Sequence, residues 1–247
     1  MGGAALATAL VVWWIVATGR PGHPPEPAQG AVTVQQNPAP ERDTSPTGTP
    51  PIQTSLTDEL ARLADTPAIL PAPSGRIVGA ATAHPDLYAA AFVEALLTQD
   101  YAQQRNAKLA WVQAESTATT EPLVVGLVPV ELRSKMAVFS VTDTVNGTAL
   151  IPTASGWEDL RSKHGHATVR IDRVSEPLAW SNAVLGGRIT DPGISAREVA
   201  ATVTLETNRA TLRRSVALIL HLEGPPVRRE WRFVTVVDFR SLPMGES

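Results

Sequence analysis

The sequence predicts an α+β fold in which early helices pack on a curved antiparallel sheet formed by the last strands of the chain. Three observations support this prediction and place a membrane anchor in front of the folded domain. Residues 1–19 are uncharged and largely apolar, and residues 20–53 are rich in proline. After residue 53 the hydrophobic pattern changes from helical spacing to strand-like alternation along the chain.

Composition excludes several classes of protein. The 247 residues carry a net charge of −3 with scattered basic residues, which argues against a nucleic-acid-binding protein with a basic face. The chain has no cysteine, so thiol catalysis, disulfide bonds and cysteine-ligated metals are excluded.

The apolar run at residues 1–19 is interpreted as a transmembrane anchor. A helix of about 18 residues spans roughly 27 Å, which is just enough for a bilayer core. A secretory signal peptide is the main alternative, although the run lacks a basic start and Ala17-Thr18-Gly19 is a poor cleavage site. A buried globular helix is disfavoured by the polar segment that follows. We expect a single-pass cell-membrane protein whose folded domain lies outside the cytoplasm, although no charge pattern orients the anchor.

The segment 20–53 is expected to be a disordered stalk. Its prolines are set among Gly, Gln, Ser and Thr, and such a segment cannot bury enough apolar surface to offset its ordering entropy. It therefore predicts an extended spacer between the membrane and the domain.

Residues 54–78 predict a short helix and a connector. The helix covers TDELARLA, carries Asp58 and Glu59 in its first turn, and stops near Pro67. The main domain is expected to span residues 79–240, followed by a tail at 241–247.

Two further helices are predicted at the start of the main domain. The first has Pro85 at its first position. Its apolar residues form one stripe: Tyr88, Phe92, Ala95 and Leu96. Asp100 and Gln103 resemble a capping box for the second helix. One face of that helix is expected to carry Ala107, Ala110, Trp111 and Ala114.

The middle of the chain reads as short strands. LVVGLV at 123–128 and AVFSVTDT at 137–144 are apolar and β-branched, and Asn146-Gly147 predicts a tight hairpin into ALIP at 149–152. Ser155 and Glu158 then form a capping box for a short helix through Lys163.

Four strands close the predicted fold. They are TVRIDRV at 168–174, VAATVTLE at 199–206, RSVALILHL at 214–222 and REWRFVTVVDF at 229–239. The last strand alternates cleanly between two faces. The connections at 207–212 and 223–228 are short, so the last three strands should pair as an antiparallel meander.

The histidines and the paired glycines are best explained as structural. His164 and His166 would need two more metal ligands that no nearby residue supplies, so His164 is interpreted as a residue of the last helical turn, with Gly165 as its left-handed cap. His221 is expected on the solvent face of its strand. Gly186-Gly187 is interpreted as a turn.

Chemical motifs are otherwise missing from the sequence. It contains no nucleophile elbow, phosphate loop or dinucleotide fingerprint. A carboxylate and a tyrosine can perform acid–base catalysis when they meet in a pocket, and Tyr88, Tyr101, Asp143 and Asp238 qualify by residue type only. Tyr88 is most simply a core residue, and Asp238 most simply lies on a solvated face. No catalytic, cofactor-binding or metal-binding residue is therefore assigned, and the protein is expected to lack enzymatic activity.

The layout resembles a known family. The anchor, the proline-rich stalk, the helix AAAFVEALLTQD (89–100), the LAWV helix end (109–112) and the strand WRFVTVVDF (231–239) are similar to the TcpC family of conjugation proteins and the periplasmic inner-membrane subunit of type IV secretion systems. The resemblance covers about two-thirds of the chain through layout rather than an invariant motif. The chain has room for one such domain, whereas TcpC-type proteins often carry two.

This resemblance implies a nuclear transport factor 2-like cone and a non-enzymatic scaffold that forms homo-oligomers and binds other membrane subunits. Membrane proteins that accompany lipid-uptake transporters share the same plan and are the first alternative. A cone that binds a small apolar ligand or acts as an isomerase is the second.

Overall fold

The computed structural model describes residues 56–73, 75–143 and 149–244. The expected anchor, the expected stalk and the Asn146-Gly147 hairpin lie outside these ranges. Within them, no helix is long and apolar enough to cross a membrane.

The first helices agree with the sequence prediction. Helix α1 spans Leu56–Asp65, and a 3₁₀ helix spans Gly79–Ala83. Helix α2 spans Pro85–Leu97 with the proline in its first turn, and the Asp86 amide donates to Nδ1 of His84 at 3.2 Å. The predicted stripe is buried at Tyr88, Phe92 and Leu96, which are all 0% exposed.

The start of helix α3, Arg105–Glu115, differs from the prediction. Strand β1, Gln99–Asp100, precedes it, and the expected capping box is absent because Gln104 occupies the cap position without a side-chain hydrogen bond. The Asp100 carboxylate instead accepts from the Ala102 amide at 3.0 Å, in a local turn. The buried face also differs, since Leu109 and Val112 are buried whereas Ala107 is exposed.

The strands predicted in the middle of the chain are wrong. The segment forms helices α4, α5 and α6, which span Pro122–Leu127, Val130–Arg133 and Met136–Thr142, and residues 149–152 are not a strand. Val124 and Val128 are buried at a spacing of four residues, and Ala137, Val138 and Val141 repeat that spacing in α6. Tertiary packing of these helical faces overrides the β-branched composition, because short apolar runs do not distinguish the two structures.

Helix α7, Ala154–Ser162, begins and ends one or two residues away from the predicted caps. Thr153, not Ser155, accepts the hydrogen bond from the Gly156 amide, at 3.2 Å. At the other end His164 itself adopts the left-handed conformation, with φ of 53°. The Gly165 amide then donates to the Leu160 carbonyl at 2.8 Å. Gly165 is therefore not the left-handed residue.

The sheet confirms the antiparallel meander. Strands β2, β3, β4 and β5 span His166–Ser175, Ile194–Glu206, Thr211–Glu223 and Arg232–Pro243, and the five strands pair in sequence order. The sheet is curled. Two register shifts between β4 and β5 interrupt the alternation predicted for the last strand.

Helix α8, Leu178–Leu185, lies between β2 and β3 in the chain and was not predicted. The Gly186-Gly187 turn ends it, since Gly186 is the cap and Gly187 has φ of +67°. An α+β architecture with helices and a curled five-stranded antiparallel sheet is thus confirmed for the described residues.

The main core lies between α2 and the sheet. The Phe92 ring stacks on Phe233 of β5 with centroids 4.1 Å apart, and it also stacks on Trp111 with centroids 5.4 Å apart. A second cluster joins Leu63 of α1 to Val124 and Val128. A third places Trp180 of α8 against β3. The space between α2 and the sheet is therefore filled by aromatic and aliphatic side chains.

Candidate functional site

Tyr88 and Glu115 form a buried polar pair at the centre of the core. Both are 0% exposed, and the Tyr88 hydroxyl donates to Oε2 of Glu115 at 2.8 Å. The same hydroxyl accepts from the Phe233 amide at 3.2 Å, while Oε1 of Glu115 accepts from the Ile77 amide at 2.6 Å. The pair therefore joins α2, α3, the connector and β5.

A cation completes this network. Nη1 of Arg232 lies 3.5 Å from Oε2 of Glu115, and Nη2 of Arg232 bonds Glu230 at 2.5 Å. Burial, reinforced by the Glu115 charge, raises the pKa of Tyr88 well above its ordinary value. The Tyr88 phenol is therefore held neutral and makes two hydrogen bonds. Such a group stabilises the fold and is poorly suited to proton transfer near neutral pH.

Glu223 plays a similar part at the end of β4. It is 0% exposed, and Oε1 accepts from the Thr119 hydroxyl at 2.6 Å and the Thr120 amide at 2.5 Å. Oε2 lies 3.3 Å from Nε of Arg228, which also bonds the Ala118 carbonyl. Glu223 thus fixes the segment 118–120 to the sheet.

His221 is buried, which contradicts the predicted solvent exposure. It is 5% exposed, its Nδ1 lies 3.4 Å from Oε2 of Glu121, and its ring lies 5.9 Å from that of Trp180 in α8. Burial lowers the pKa of His221, and the nearby Glu121 and Glu223 charges oppose that effect. The strand face that carries His221 is covered by α8 and by the segment before α4, neither of which the sequence placed there.

Tyr101 and Asp143, which were named as possible acid–base residues by residue type, contact different neighbours. Tyr101 is 5% exposed and packs edge-on against Trp157 at 4.8 Å, and burial raises its pKa to about 12. Asp143 accepts a hydrogen bond from Nη1 of Arg62 at 2.7 Å.

A small groove lies beside this ion pair. Its volume is about 240 Å³, which is below the ~300–1,000 Å³ of ordinary ligand pockets. The guanidinium of Arg62 lies over the Phe139 ring, with 5.5 Å from its carbon to the centroid. Glu59 is nearby, and burial raises its pKa to about 7 against the opposing charge of Arg62. This group of charges fastens α1 to α6.

Asp238 is largely buried rather than solvated as predicted. Its side chain is 12% exposed and accepts from Nε of Arg240 at 3.1 Å. Tyr88, Tyr101, Asp143 and Asp238 therefore contact four different partners, and the structure does not bring them together as a tyrosine–carboxylate pair.

The histidine pair lies at the surface. His164 and His166 are both exposed, His164 as the left-handed residue after α7 and His166 at the start of β2. Among the described residues, no group of three or more His, Cys, Asp or Glu side chains is arranged to hold a metal ion.

Helix α8 presents the largest exposed apolar side chains on a helix in the described part of the domain. Leu178 is 76% exposed and Leu185 is 85% exposed, while Trp180 and Ala183 on the opposite face are buried. One face of the helix is thus buried and the opposite face is exposed to solvent. Leu178 and Leu185 lie seven residues apart, on the same face of α8, so this exposed face is apolar at both ends.

Sequence reasoning missed Glu115, Glu223 and the outer face of α8. Glu115 lies three residues after Val112 and six after Leu109, so its place on the buried stripe of α3 was a detectable signal. Glu223 and His221 alternate with core leucines, which indicated an exposed face. Helix α8 and the segment 119–121 cover these two side chains, and the sequence placed neither of them there.

The comparisons with known proteins identify no family. No family model matches the chain, and neither a curated protein nor a solved structure shows significant similarity to it.

Proposed function

We propose that the protein is a membrane-anchored, non-enzymatic assembly component of a conjugative transfer apparatus of the type IV secretion kind. In this proposal residues 1–19 hold the chain in the cell membrane, and a nuclear transport factor 2-like cone outside the cytoplasm binds other subunits. The helix α2 packed on a curled antiparallel sheet supports the cone assignment.

The exposed apolar face of α8 is the observation that carries the proposal. Trp180 packs with Ile194 and Ala196 of β3, and Ala183 is also buried, so the helix presents Leu178 and Leu185 on a rigid support. A rigid apolar surface suits a protein-binding module. The buried groups Tyr88, Glu115 and Glu223 support this assignment, because their hydrogen bonds join elements of the domain.

Transfer assays on two charge-matched variants test the proposal. Leu178→Glu combined with Leu185→Glu should reduce conjugative transfer by about tenfold or more, because burying a charge at an apolar contact costs at least about 1.4 kcal/mol. The control combines Leu70→Glu with Val130→Glu, at residues that are 87% and 70% exposed elsewhere. Normal transfer by a folded α8 variant would refute the α8 interaction surface.

Removal of residues 1–19 tests the tether. The truncated chain should keep its folded domain and lose transfer activity, because the anchor supplies the local concentration at the membrane. Full transfer by a soluble truncated chain would refute the anchored scaffold.

A further inference from the structure

His221 is a buried imidazole whose hydrogen bonding is incomplete. Its Nδ1 lies 3.4 Å from Oε2 of Glu121, whereas its Nε2 is buried and has no hydrogen-bond partner among the described residues. The other histidines in the described ranges, His84, His164 and His166, are exposed. A neutral imidazole carries one N–H, which Nδ1 can donate to Glu121, but the protonated ring carries a second N–H at Nε2. Because that second N–H would have no acceptor, the site fits the neutral ring and opposes its protonation.

Helix α8 covers this ring. The Trp180 ring lies 5.9 Å from the His221 ring, and Trp180 packs with Ala196 of β3 in a cluster separate from the main core. Leu220 and Leu222, the neighbours of His221 on β4, point to the other face of the sheet and belong to the main core. A helix of eight residues is held by its packing rather than by its own stability. Release of α8 would therefore open the His221 side of the sheet and leave the main core packed.

Two carboxylates act on the His221 ring. Burial lowers the pKa of His221, and the charges of Glu121 and Glu223 oppose that effect without cancelling it. The Glu223 carboxylate is engaged elsewhere, since its Oε1 accepts from the Thr119 hydroxyl at 2.6 Å and its Oε2 lies 3.3 Å from Nε of Arg228. Glu121 is the carboxylate that lies close to a ring nitrogen.

The other elements around the ring face it with uncharged residues. In the sheet, His221 is paired with Ala196 of β3 and with Thr235 of β5. None of the eight residues of α8 is ionisable. A proton on His221 would therefore add a cation to a site in which only Glu121 is placed to compensate it.

We propose that His221 is a pH-sensitive switch that keeps α8 packed on the sheet while the ring is neutral and releases the helix when the ring is protonated. In the released state Nε2 reaches water, so the ring binds a proton at the ordinary histidine pKa of about 6.5. The packed state binds that proton only at lower pH, and acid therefore favours release. Release removes the rigid support beneath Leu178 and Leu185 and exposes the buried Trp180. This inference does not rest on the proposed function, because it concerns contacts within this chain alone.

Hydrogen exchange of the full-length chain in detergent micelles tests the switch. The amides of Ser181, Gly186 and Gly187 donate to carbonyls of α8 or of the residue before it, so they exchange when the helix opens. Their protection factors, which correct for the direct effect of pH on exchange, should fall several-fold between pH 7.5 and pH 5.5. The limit is about tenfold per pH unit, because one proton is bound. The amides of Leu218 and Leu220 in β4 should keep their protection, since release is local.

Three variants and a control isolate the ring. His221→Gln cannot ionise, so the protection of α8 should become independent of pH. His221→Phe has the same purpose and retains a ring against Trp180, should the glutamine variant fail to fold. Glu121→Gln should enlarge the acid effect, because it removes a charge that favours the protonated ring in the packed state. His166→Gln is the matched control at an exposed histidine and should keep the wild-type response.

The switch is overturned if the wild-type chain protects α8 equally at the two pH values. A loss of protection that persists in both His221 variants overturns it as well. A loss shared equally by Leu218 and Leu220 would show that acid unfolds the sheet rather than releasing α8. A weaker acid effect in Glu121→Gln than in the wild type would also refute it, since Glu121 would then promote release.

Discussion

At the scale of single residues, this domain uses buried carboxylates to join distant segments. Glu115 accepts hydrogen bonds from Tyr88 and from the Ile77 amide, and Glu223 holds the segment 118–120 on β4. A buried carboxylate is costly unless it is fully hydrogen-bonded, and both of these have donors on each oxygen.

Tyr88→Phe should lower the free energy of unfolding by about 1–3 kcal/mol. The substitution removes the hydroxyl that donates to Glu115 and accepts from the Phe233 amide, and it leaves both groups buried without that partner. Thermal or urea unfolding of the purified domain measures the change.

Tyr101→Phe is the matched control, because Tyr101 is also buried but packs through its ring on Trp157. Its free energy of unfolding should change by less than that of Tyr88→Phe, because the substitution keeps the ring that packs on Trp157. Equal losses in the two variants would contradict the assigned role of the Tyr88 hydroxyl.

The residue-scale errors of sequence reasoning have one physical origin. His221 and Asp238 were placed on a solvent face because strand alternation reports which residues share a face but not what covers that face. The cover over His221 comes from Trp180 and Glu121, which are 41 and 100 positions away in the sequence. Tyr88 was placed correctly because its helical stripe alone determines its burial.

At the scale of elements, the sequence predicted long periodic segments well and short apolar ones poorly. Helix α2 and strands β2–β5 are each 10–13 residues long, and segments of this length carry enough of a periodic pattern for their type to be predictable. Helices α4 and α6 are six and seven residues long, and their valines favour strands in isolation. Their helical form depends on packing against Leu63 and β5, which local sequence does not report.

The end of α7 gives a sharp test at this scale. His164→Gly should raise the free energy of unfolding by up to about 1 kcal/mol, because the left-handed conformation at φ of 53° costs an ordinary residue roughly that much. Gly165→Ala should lower it by about 1–3 kcal/mol. The added Cβ would lie 2.9 Å from the Leu160 carbonyl oxygen and 3.0 Å from Cδ2 of Tyr101.

Melting curves of the two variants check this pair of predictions. The sequence alone suggested the reverse, with Gly165 as the left-handed residue and His164 in the last helical turn. A destabilised His164→Gly variant together with a neutral Gly165→Ala variant would restore that earlier interpretation.

At the scale of the whole molecule, the described domain has one main core, and two smaller clusters attach α1 and α8 to it. The meander was predictable because short connections force neighbouring strands to pair, whereas the outer layer formed by α8 was not. Helix α1 lies apart from the main core and is held by a second cluster that includes Leu63, Val124 and Val128. It directly follows the segment expected to lead to the membrane, so its attachment decides where the folded domain begins.

Charges reinforce the attachment of α1. Arg62 pairs with Asp143 at 2.7 Å and lies over Phe139, and the Lys135 ammonium donates to the Ala64 carbonyl at 2.6 Å. Glu59 is half-buried beside these groups, and its pKa is raised to about 7 chiefly by burial. A carboxyl whose pKa is raised in the folded state stabilises that state below its ordinary pKa, and the stabilisation is lost as the pH rises through about 7.

A chain that begins at Pro67 should therefore be less stable than one that begins at Ser55, by about 2–5 kcal/mol. The shorter chain leaves Val124 and Val128 without the buried Leu63, which is comparable to a large-to-small substitution in a core. The difference in unfolding free energy should be larger at pH 6 than at pH 8, since deprotonation of Glu59 weakens the attachment of α1. Urea unfolding of both chains at the two pH values measures this difference.

Glu59→Gln in the longer chain is the control, because an amide cannot ionise and should make the difference nearly independent of pH over this range. Equal stability of the two chains would show that α1 is not part of the cooperative fold. A difference that grows from pH 6 to pH 8 would contradict the assigned role of Glu59.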